Sequence, residues 1–259
     1  MTTYPALFIS HGSPMIALEP GPARDFLLGL GKRLGKPKAI LVMSAHFEAR
    51  EACLTSDARP AMIYDFGGFP RPLYEMRYDA PGSPELAARA GELLTDAGFK
   101  AWRVENRGFD HGTWVPLKLM YPDADIPVVQ LSVEPMKDGA HHLALGRALA
   151  PLREEGVLII GSGSLTHNLF AMSRGDRAAP APGWVTDFVD WARARAEAGD
   201  VAALADWTRA PFAKENHPTP EHYLPLPFAA GAGGLGARGE RIHASIDFGV
   251  LSMDVYAFG

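Results

Sequence analysis

Short apolar runs recur along the chain and predict buried strands. Three of them are almost uninterrupted, at residues 39–43, 126–131 and 157–160, and residues 7–9 add a fourth. Continuous apolar runs of this length are typical of parallel strands that are covered on both faces, whereas half-exposed strands alternate. The pattern therefore predicts at least four parallel strands.

Helical stretches fall between these runs. They are predicted at residues 22–34, 86–97, 138–152 and 184–198, and the second is preceded by Ser83 as N-cap and Pro84 at the first helical position. Alternation of strands and helices predicts an α/β fold with crossover connections. We expect one domain over residues 1–259, with a mostly parallel central sheet flanked by helices on both faces.

The remaining segments predict turns and loops. Residues 242–248 and 251–257 alternate and predict a closing hairpin around Gly249. Residues 178–183 and 231–239 are rich in Gly, Pro and Ala and predict surface loops. Residues 64–84 combine Gly, Pro and aromatic side chains without periodicity, which is typical of a substrate-facing lid.

Composition narrows the class of protein. Of the 259 residues, 47% are hydrophobic and 21% charged, and the net charge is −5, so no basic surface for nucleic acid or an anionic membrane is expected. Cys53 is the only cysteine, which excludes an internal disulfide and indicates a reducing compartment. No basic leader or long apolar run is present, so we expect a cytoplasmic protein.

Four of the nine histidines lie in short segments of small residues and prolines where predicted strands and turns end. These are His11, His46, His167 and His222. Ligands of open parallel sheets bind at the carboxyl ends of the strands, and imidazole is the commonest metal ligand. One histidine in such a place is more often a loop or capping residue, but the repetition favours a shared metal site. Glycines beside His11 and His167 allow close approach of the backbone.

A fifth candidate, His111, is followed by a helix. Asp110 beside it is placed to polarise an imidazole, and Trp114 to form an aromatic wall. Thr113 is a plausible N-cap for this helix, which is the purely structural interpretation of the same segment. Both interpretations are compatible.

The other histidines receive structural interpretations. His141 and His142 are adjacent on a predicted helix, so we expect them to face different directions and to contact solvent. His243 lies in the alternating tail and is assigned to structure. His217 is left open.

Five motifs occur in one order from Ser10 to Leu226. They are His-Gly-Ser-Pro from His11, Ser-Ala-His ending at His46, Asp-His-Gly-Thr-Trp-Val-Pro-Leu from Asp110, Gly-Ser-Gly-Ser-Leu-Thr-His-Asn-Leu from Gly161, and Pro-Glu-His-Tyr-Leu-Pro-Leu from Pro220. Together they resemble the class III extradiol ring-cleavage dioxygenases, in the branch similar to DOPA dioxygenases. Tyr-Asp-Phe-Gly-Gly-Phe-Pro from Tyr64 resembles the substrate-side loop of that family.

The resemblance implies one divalent metal ion per chain, Fe(II) for activity or Zn(II) as isolated, with a small aromatic diol and O2 as substrates. His11, His46 and His222 match the metal-binding positions. His167 matches a fourth ligand or an acid–base histidine. The family at large uses two histidines and a glutamate, but Glu221 and His222 are adjacent and their side chains diverge. We therefore expect His222 to bind the metal and Glu221 to lie beside it.

The resemblance also assigns catalysis and substrate contacts. The candidate acid–base pair is His167, the stronger candidate, together with His111. The candidate substrate contacts are Ser13, Tyr64, Phe69, Trp114 and Tyr223. Which catechol is used, which metal is native, and the oligomeric state stay open at this point.

Two other functions fit an all-histidine site. A zinc hydrolase would use the lowered pKa of a zinc-bound water, with Glu221 as its base. A non-catalytic metal carrier is the other, because His-Gly-Ser also begins the motif of metal chelatases. A closed four-histidine site would favour the carrier, and an open position favours an enzyme.

Overall fold

The apolar runs of the sequence form neighbouring strands at the centre of one sheet. The computed structural model describes residues 3–259. Within them the strands are β1 (Ala6–Ser10), β2 (Ala39–Glu48), β3 (Ala52–Thr55), β4 (Ala101–Val104), β5 (Val128–Val133), β6 (Val157–Gly163), β7 (Gly239–His243), β8 (Ile246–Asp247), β9 (Leu251–Ser252) and β10 (Val255–Phe258).

The main sheet has the strand order β4-β3-β5-β2-β6-β1-β10-β7. The four predicted strands are adjacent in it and mutually parallel, while β10 joins β1 in antiparallel orientation. The predicted mostly parallel sheet is confirmed. The strand predicted at residues 126–131 begins two residues later, at Val128, and β2 continues to Glu48 beyond its predicted end.

Helices cover the sheet. Within the described residues the α-helices are α1 (Pro22–Leu34), α2 (Arg71–Tyr74), α3 (Pro84–Asp96), α4 (His111–Met120), α5 (Gly139–Leu149), α6 (Gly183–Ala198), α7 (Val201–Ala205), α8 (Ala213–Asn216) and α9 (Pro225–Ala232). The predicted cap is confirmed: the Ser83 hydroxyl accepts a hydrogen bond from the backbone N–H of Leu86. Over residues 3–259, no helix is both long and apolar enough to cross a membrane.

Alternate residues of the central strands enter two separate apolar cores. Ile40 and Val42 of β2 belong to one core, whereas Leu41 and Met43 belong to the other. The first core includes residues of α1, α4 and α6, and the second includes residues of α3, α5 and α9. Burial on both faces explains why these strands are continuously apolar. The molecule is a single α/β domain with helices on both faces of the sheet.

The tail forms the predicted hairpin around Gly249, which has a φ of +74°. Its two arms are interrupted, so that β8 pairs with β9 and β7 pairs with β10. The predicted loop at residues 231–239 is partly wrong. Gly231 belongs to α9 and Gly239 to β7. Glycine occurs at these two positions because an added Cβ would meet neighbouring backbone at Gly231 and a ring at Gly239, not because the chain turns there.

Two further expectations differ from the structure. His142 is fully buried rather than exposed. Its Nδ1 donates to the backbone oxygen of Asp138, and its Nε2 accepts from the backbone N–H of Glu134, so it joins α5 to the end of β5. Thr113 is not the N-cap of α4, because the helix begins two residues earlier and Asp110 occupies the cap position.

Candidate metal centre and active site

Three histidines from distant parts of the chain bring their Nε2 atoms together. His11 follows β1 directly and His222 lies in the turn before α9. The Nε2 of His46 lies 3.1 Å from that of His11 and 3.3 Å from that of His222. Nitrogens bound to one metal at about 2.0–2.1 Å are themselves about 2.9–3.4 Å apart in octahedral or tetrahedral geometry. The spacing is therefore that of a metal-binding triad.

A break in the pairing between β2 and β5 explains how the side chain of His46 reaches the triad. Pairing with β5 is regular up to Ser44 and resumes only at Glu48, which leaves His46 in an irregular segment. Irregularities of this kind redirect side chains beside active sites. The sequence indicated that His46 follows its strand, whereas it lies inside the strand where the pairing is broken.

Two of the three triad histidines, His11 and His222, have hydrogen-bond partners at Nδ1. In His11, Nδ1 is 3.0 Å from the hydroxyl of Ser162, which itself donates to the backbone oxygen of Gly112. Because the Ser162 hydroxyl donates its proton to Gly112, it can only accept a hydrogen bond from His11. The proton of the neutral His11 ring is therefore on Nδ1, and Nε2 keeps a free lone pair. The Nδ1 of His222 donates to Glu221 Oε1 at 2.9 Å. Such partners fix the tautomer of metal-binding histidines.

Electrostatics keep these imidazoles neutral. Burial and the surrounding histidines lower the pKa values of His11 and His222 well below the ordinary range. Burial is the largest cause and the neighbouring His111 the next, and together they lower the pKa of His46 to about 3. Neutral rings with bare Nε2 atoms are the form that accepts a divalent cation, so the donor set fits the metal that the motifs imply.

His111 lies beside the triad and is held by Asp65. Its ring centroid is 4.0 Å from that of His46 and 5.4 Å from that of His11. The Asp65 carboxylate accepts hydrogen bonds from both Nδ1 and the backbone N–H of His111, each at 2.9 Å. Burial opposes ionisation of Asp65, but the hydrogen bonds from His111 prevail and lower the pKa of Asp65 to about 2.

Asp65, not Asp110, is the carboxylate that bonds the His111 imidazole, the role that the sequence suggested for Asp110. Asp110 is fully buried and accepts hydrogen bonds from Ser44 at 2.7 Å, from Arg107 at 3.2 Å and from Gln130. It therefore braces the segments before His46 and His111 instead of polarising a ring. Asp65 lies in the predicted lid, where its aperiodic surroundings gave no sign of a contact with α4.

His167 lies against one member of the triad, His222, and its ligand nitrogen is within 4.8 Å of those of His222 and Glu221. Its ring is stacked on His222, with centroids 3.5 Å apart and planes inclined by 11°. Burial lowers the pKa of His167 to about 4. Its backbone N–H is anchored to the backbone oxygen of Asn216, which fixes the loop after β6.

The candidate substrate contacts lie in three kinds of place. Trp114 and Tyr223 are fully buried, with their polar atoms bonded to Ile63 and Leu204 carbonyls, so neither offers surface to a ligand in this conformation. Tyr64 is partly buried, and its hydroxyl donates to the backbone oxygen of Met76 at 2.6 Å.

Ser13 and Phe69 face a common cavity. The ring of Phe69 packs edge-on against Phe66, which in turn packs against His111. Phe66 is thus an aromatic neighbour of the site that the sequence did not single out.

The histidines outside the site have structural contacts. His217 is buried and its Nε2 donates to the Leu165 carbonyl, which resolves the open question in favour of a core residue. His243 stacks on Phe26 with centroids 4.7 Å apart, in agreement with its structural assignment. His141 pairs with Glu134 at 2.8 Å.

Comparison with known proteins gives one consistent family. A protein of Beta vulgaris named 4,5-DOPA dioxygenase extradiol is 48% identical, covering 97% of this chain and 95% of its own length. A protein of the same name from Escherichia coli K12 is 43% identical, covering 89% and 86% respectively. The crystal structure of an uncharacterised E. coli K12 protein superposes with a TM-score of 0.84 at 36% identity, covering 99% of this chain and 100% of that one.

The family description covers nearly the whole chain, including all five motifs. Residues 5–258 match the catalytic LigB subunit of aromatic ring-opening dioxygenase. This agrees with the resemblance carried by the motifs and with the histidine cluster at the end of the sheet. The chain therefore belongs to the LigB family of metal-dependent extradiol dioxygenases, which open aromatic rings.

Proposed function

We propose that His11, His46 and His222 bind one Fe(II) ion and that the chain opens the ring of a DOPA-like catechol at this centre. The observation that carries the assignment is the convergence of three Nε2 atoms, with those of His11 and His222 each within 3.3 Å of that of His46. The printed names of the relatives support the substrate class. The single cysteine further supports a reducing, cytoplasmic setting.

A bound Fe(II) ion would supply the electron transfer between catechol and O2 that ring opening requires. The protein supplies the proton handling. Because Nδ1 of His111 is committed to Asp65, its Nε2 is free to accept a proton from a catechol hydroxyl, and the carboxylate stabilises the imidazolium that results. His167, neutral because of its burial, is the second proton-handling group.

The aromatic side chains of the loop at residues 64–69 shield the proton-handling pair. Phe66 packs edge-on against His111 and against Phe69. An apolar wall at this position limits access of water to His111 and gives the substrate ring a surface to lie against. Trp114, packed behind Phe66 at 6.2 Å, holds that wall in place.

Metal exchange tests the proposal. The metal is stripped, and one sample is reconstituted anaerobically with Fe(II) and another with Zn(II), before catechols including DOPA are added in air. We expect the Fe(II) sample to consume O2 in proportion to catechol and to give a yellow ring-opened semialdehyde. The Zn(II) sample should do neither, because zinc has no accessible redox change.

Hydrolysis of esters by the Zn(II) sample, without O2 uptake by either sample, would replace the dioxygenase assignment with a hydrolase. Inertness of both, with a four-coordinate metal lacking water, would indicate a carrier.

A further inference from the structure

A cavity of about 260 Å³ is lined in part by two segments that also carry residues of the histidine site. Ser13 lines the cavity and is two residues from His11, so their Cα atoms are at most about 7.6 Å apart. Phe69 lines it as well, and Phe66 contacts both Phe69 and His111, with centroid distances of 5.4 Å and 5.7 Å. The cavity is therefore roughly one aromatic side chain away from the proposed metal centre.

Three charged side chains line the same cavity. The Arg177 Nη2 donates to Asp247 Oδ2 at 2.8 Å, its Nη1 donates to the Pro20 carbonyl at 2.9 Å, and Glu19 Oε2 lies 3.9 Å from Nη1. Those two hydrogen bonds use two of the five N–H donors of a guanidinium, which leaves donors for an anion. One guanidinium and two carboxylates also give the cavity a formal charge of −1, which attracts a cation.

Apart from Ser13, the rest of the lining is apolar, with Met15 and Phe248 among its walls. A ligand that fits has a short hydrocarbon stem and carries both a negative and a positive group at one end. Of the tails that a catechol can carry, the α-amino acid group has this composition, whereas a methyl group or a single carboxylate does not.

We propose that this cavity is the specificity subsite of the enzyme, in which Arg177 binds the carboxylate and Glu19 with Asp247 binds the ammonium of an amino-acid tail. The subsite rests on the proposed function, because the ring of the same molecule must reach the histidines. It identifies the side chains that select a catecholic amino acid over a simple catechol.

Binding to the Zn(II)-loaded chain tests the subsite without turnover. Calorimetry compares DOPA with 4-methylcatechol, and we expect the wild type to prefer DOPA. Arg177→Gln should lower that preference about tenfold, as expected for loss of a charge-assisted hydrogen bond at a partly exposed site. The matched control is Arg174→Gln, an exposed arginine three residues earlier that should keep the wild-type preference.

Glu19→Gln gives a second test in case Arg177→Gln does not fold, since the Glu19 side chain is half exposed. It should lower the preference for dopamine, which carries the amine alone, over 4-methylcatechol.

Equal affinity of the wild type for DOPA and 4-methylcatechol, or a wild-type preference in both variants, would overturn the subsite. A failure of the proposed function is distinguishable, because it shows as absence of O2 uptake by the Fe(II)-loaded chain with every catechol.

Discussion

The imidazole of His167 lies flat on that of His222, with 3.5 Å between their centroids. Histidine binds a metal through a lone pair in the plane of its ring, and two rings stacked face to face direct their lone pairs along separate, nearly parallel planes. The rings of His11, His46 and His222 are instead inclined to one another by 51°, 55° and 81°, which lets their planes meet at one point. This geometry favours His167 as a proton-handling residue over a fourth ligand.

His167→Ala should therefore keep close to one metal ion per chain while its turnover falls by about 10²-fold or more, because a general acid–base group is lost. Elemental analysis and O2 uptake on the same preparation measure the two quantities. His111→Ala should behave in the same way. Loss of the metal from His167→Ala would make it a ligand, and wild-type turnover by His111→Ala would leave that residue a structural role.

The triad itself predicts a different outcome. His11→Ala and His46→Ala should each lose most of the metal, because two imidazoles remain of the three that converge. His243→Ala is the control, since that ring stacks on Phe26 and should leave the metal content unchanged. Full metal retention in both triad variants would end the shared-site assignment.

The fold and the position of His11 were predictable because their signals are local. A buried parallel strand shows in its own apolar run, a cap in Ser83 and Pro84, and His11 directly follows a strand, whereas His46 lies inside its strand and His222 in a turn. Partners of those histidines were not predictable, because they come from far away in the chain. Ser162 meets His11 across 151 residues and Asp65 meets His111 across 46, and neither contact follows from the pattern around either residue.

Asp65 supplies a test of the proton-handling pair. Asp65→Asn keeps the size of the side chain but removes the charge that stabilises a protonated His111, so turnover should fall about tenfold or more with metal retained. Steady-state O2 uptake measures the turnover of Asp65→Asn, and elemental analysis measures its metal content. Asp79→Asn, an exposed aspartate of the same long loop that pairs with Arg77, should have wild-type turnover. Equal activities of the two variants would count against the role of Asp65.

Ser162 supplies a test of the tautomer of His11. In Ser162→Ala the Nδ1 of His11 loses its partner, so the ring is free to place its proton on Nε2 and metal affinity should fall about 10–100-fold. Competition with a chelator measures the affinity. Ser164→Ala is matched in type and burial, but its hydroxyl bonds the Thr166 carbonyl, and its affinity should stay near the wild type.

Gly163 predicts that the position of His222 depends on contact between backbones. A Cβ atom at Gly163 would lie 2.1 Å from the carbonyl oxygen of His222, so Gly163→Ala must push the segment that carries this ligand away from β6. Overpacking of this kind costs about 1–3 kcal/mol, and we expect both a lower melting temperature and weaker metal binding.

The matched control is Gly183→Ala at the start of α6, where an added Cβ meets nothing within 4 Å. It should change neither the melting temperature nor the metal affinity by much. If Gly163→Ala lowers the melting temperature but binds metal as tightly as the wild type, the turn before α9 places His222 without help from β6. If both fall together, the close approach of β6 is part of the metal site, and Gly163 is required for the position of His222 as well as for the strand.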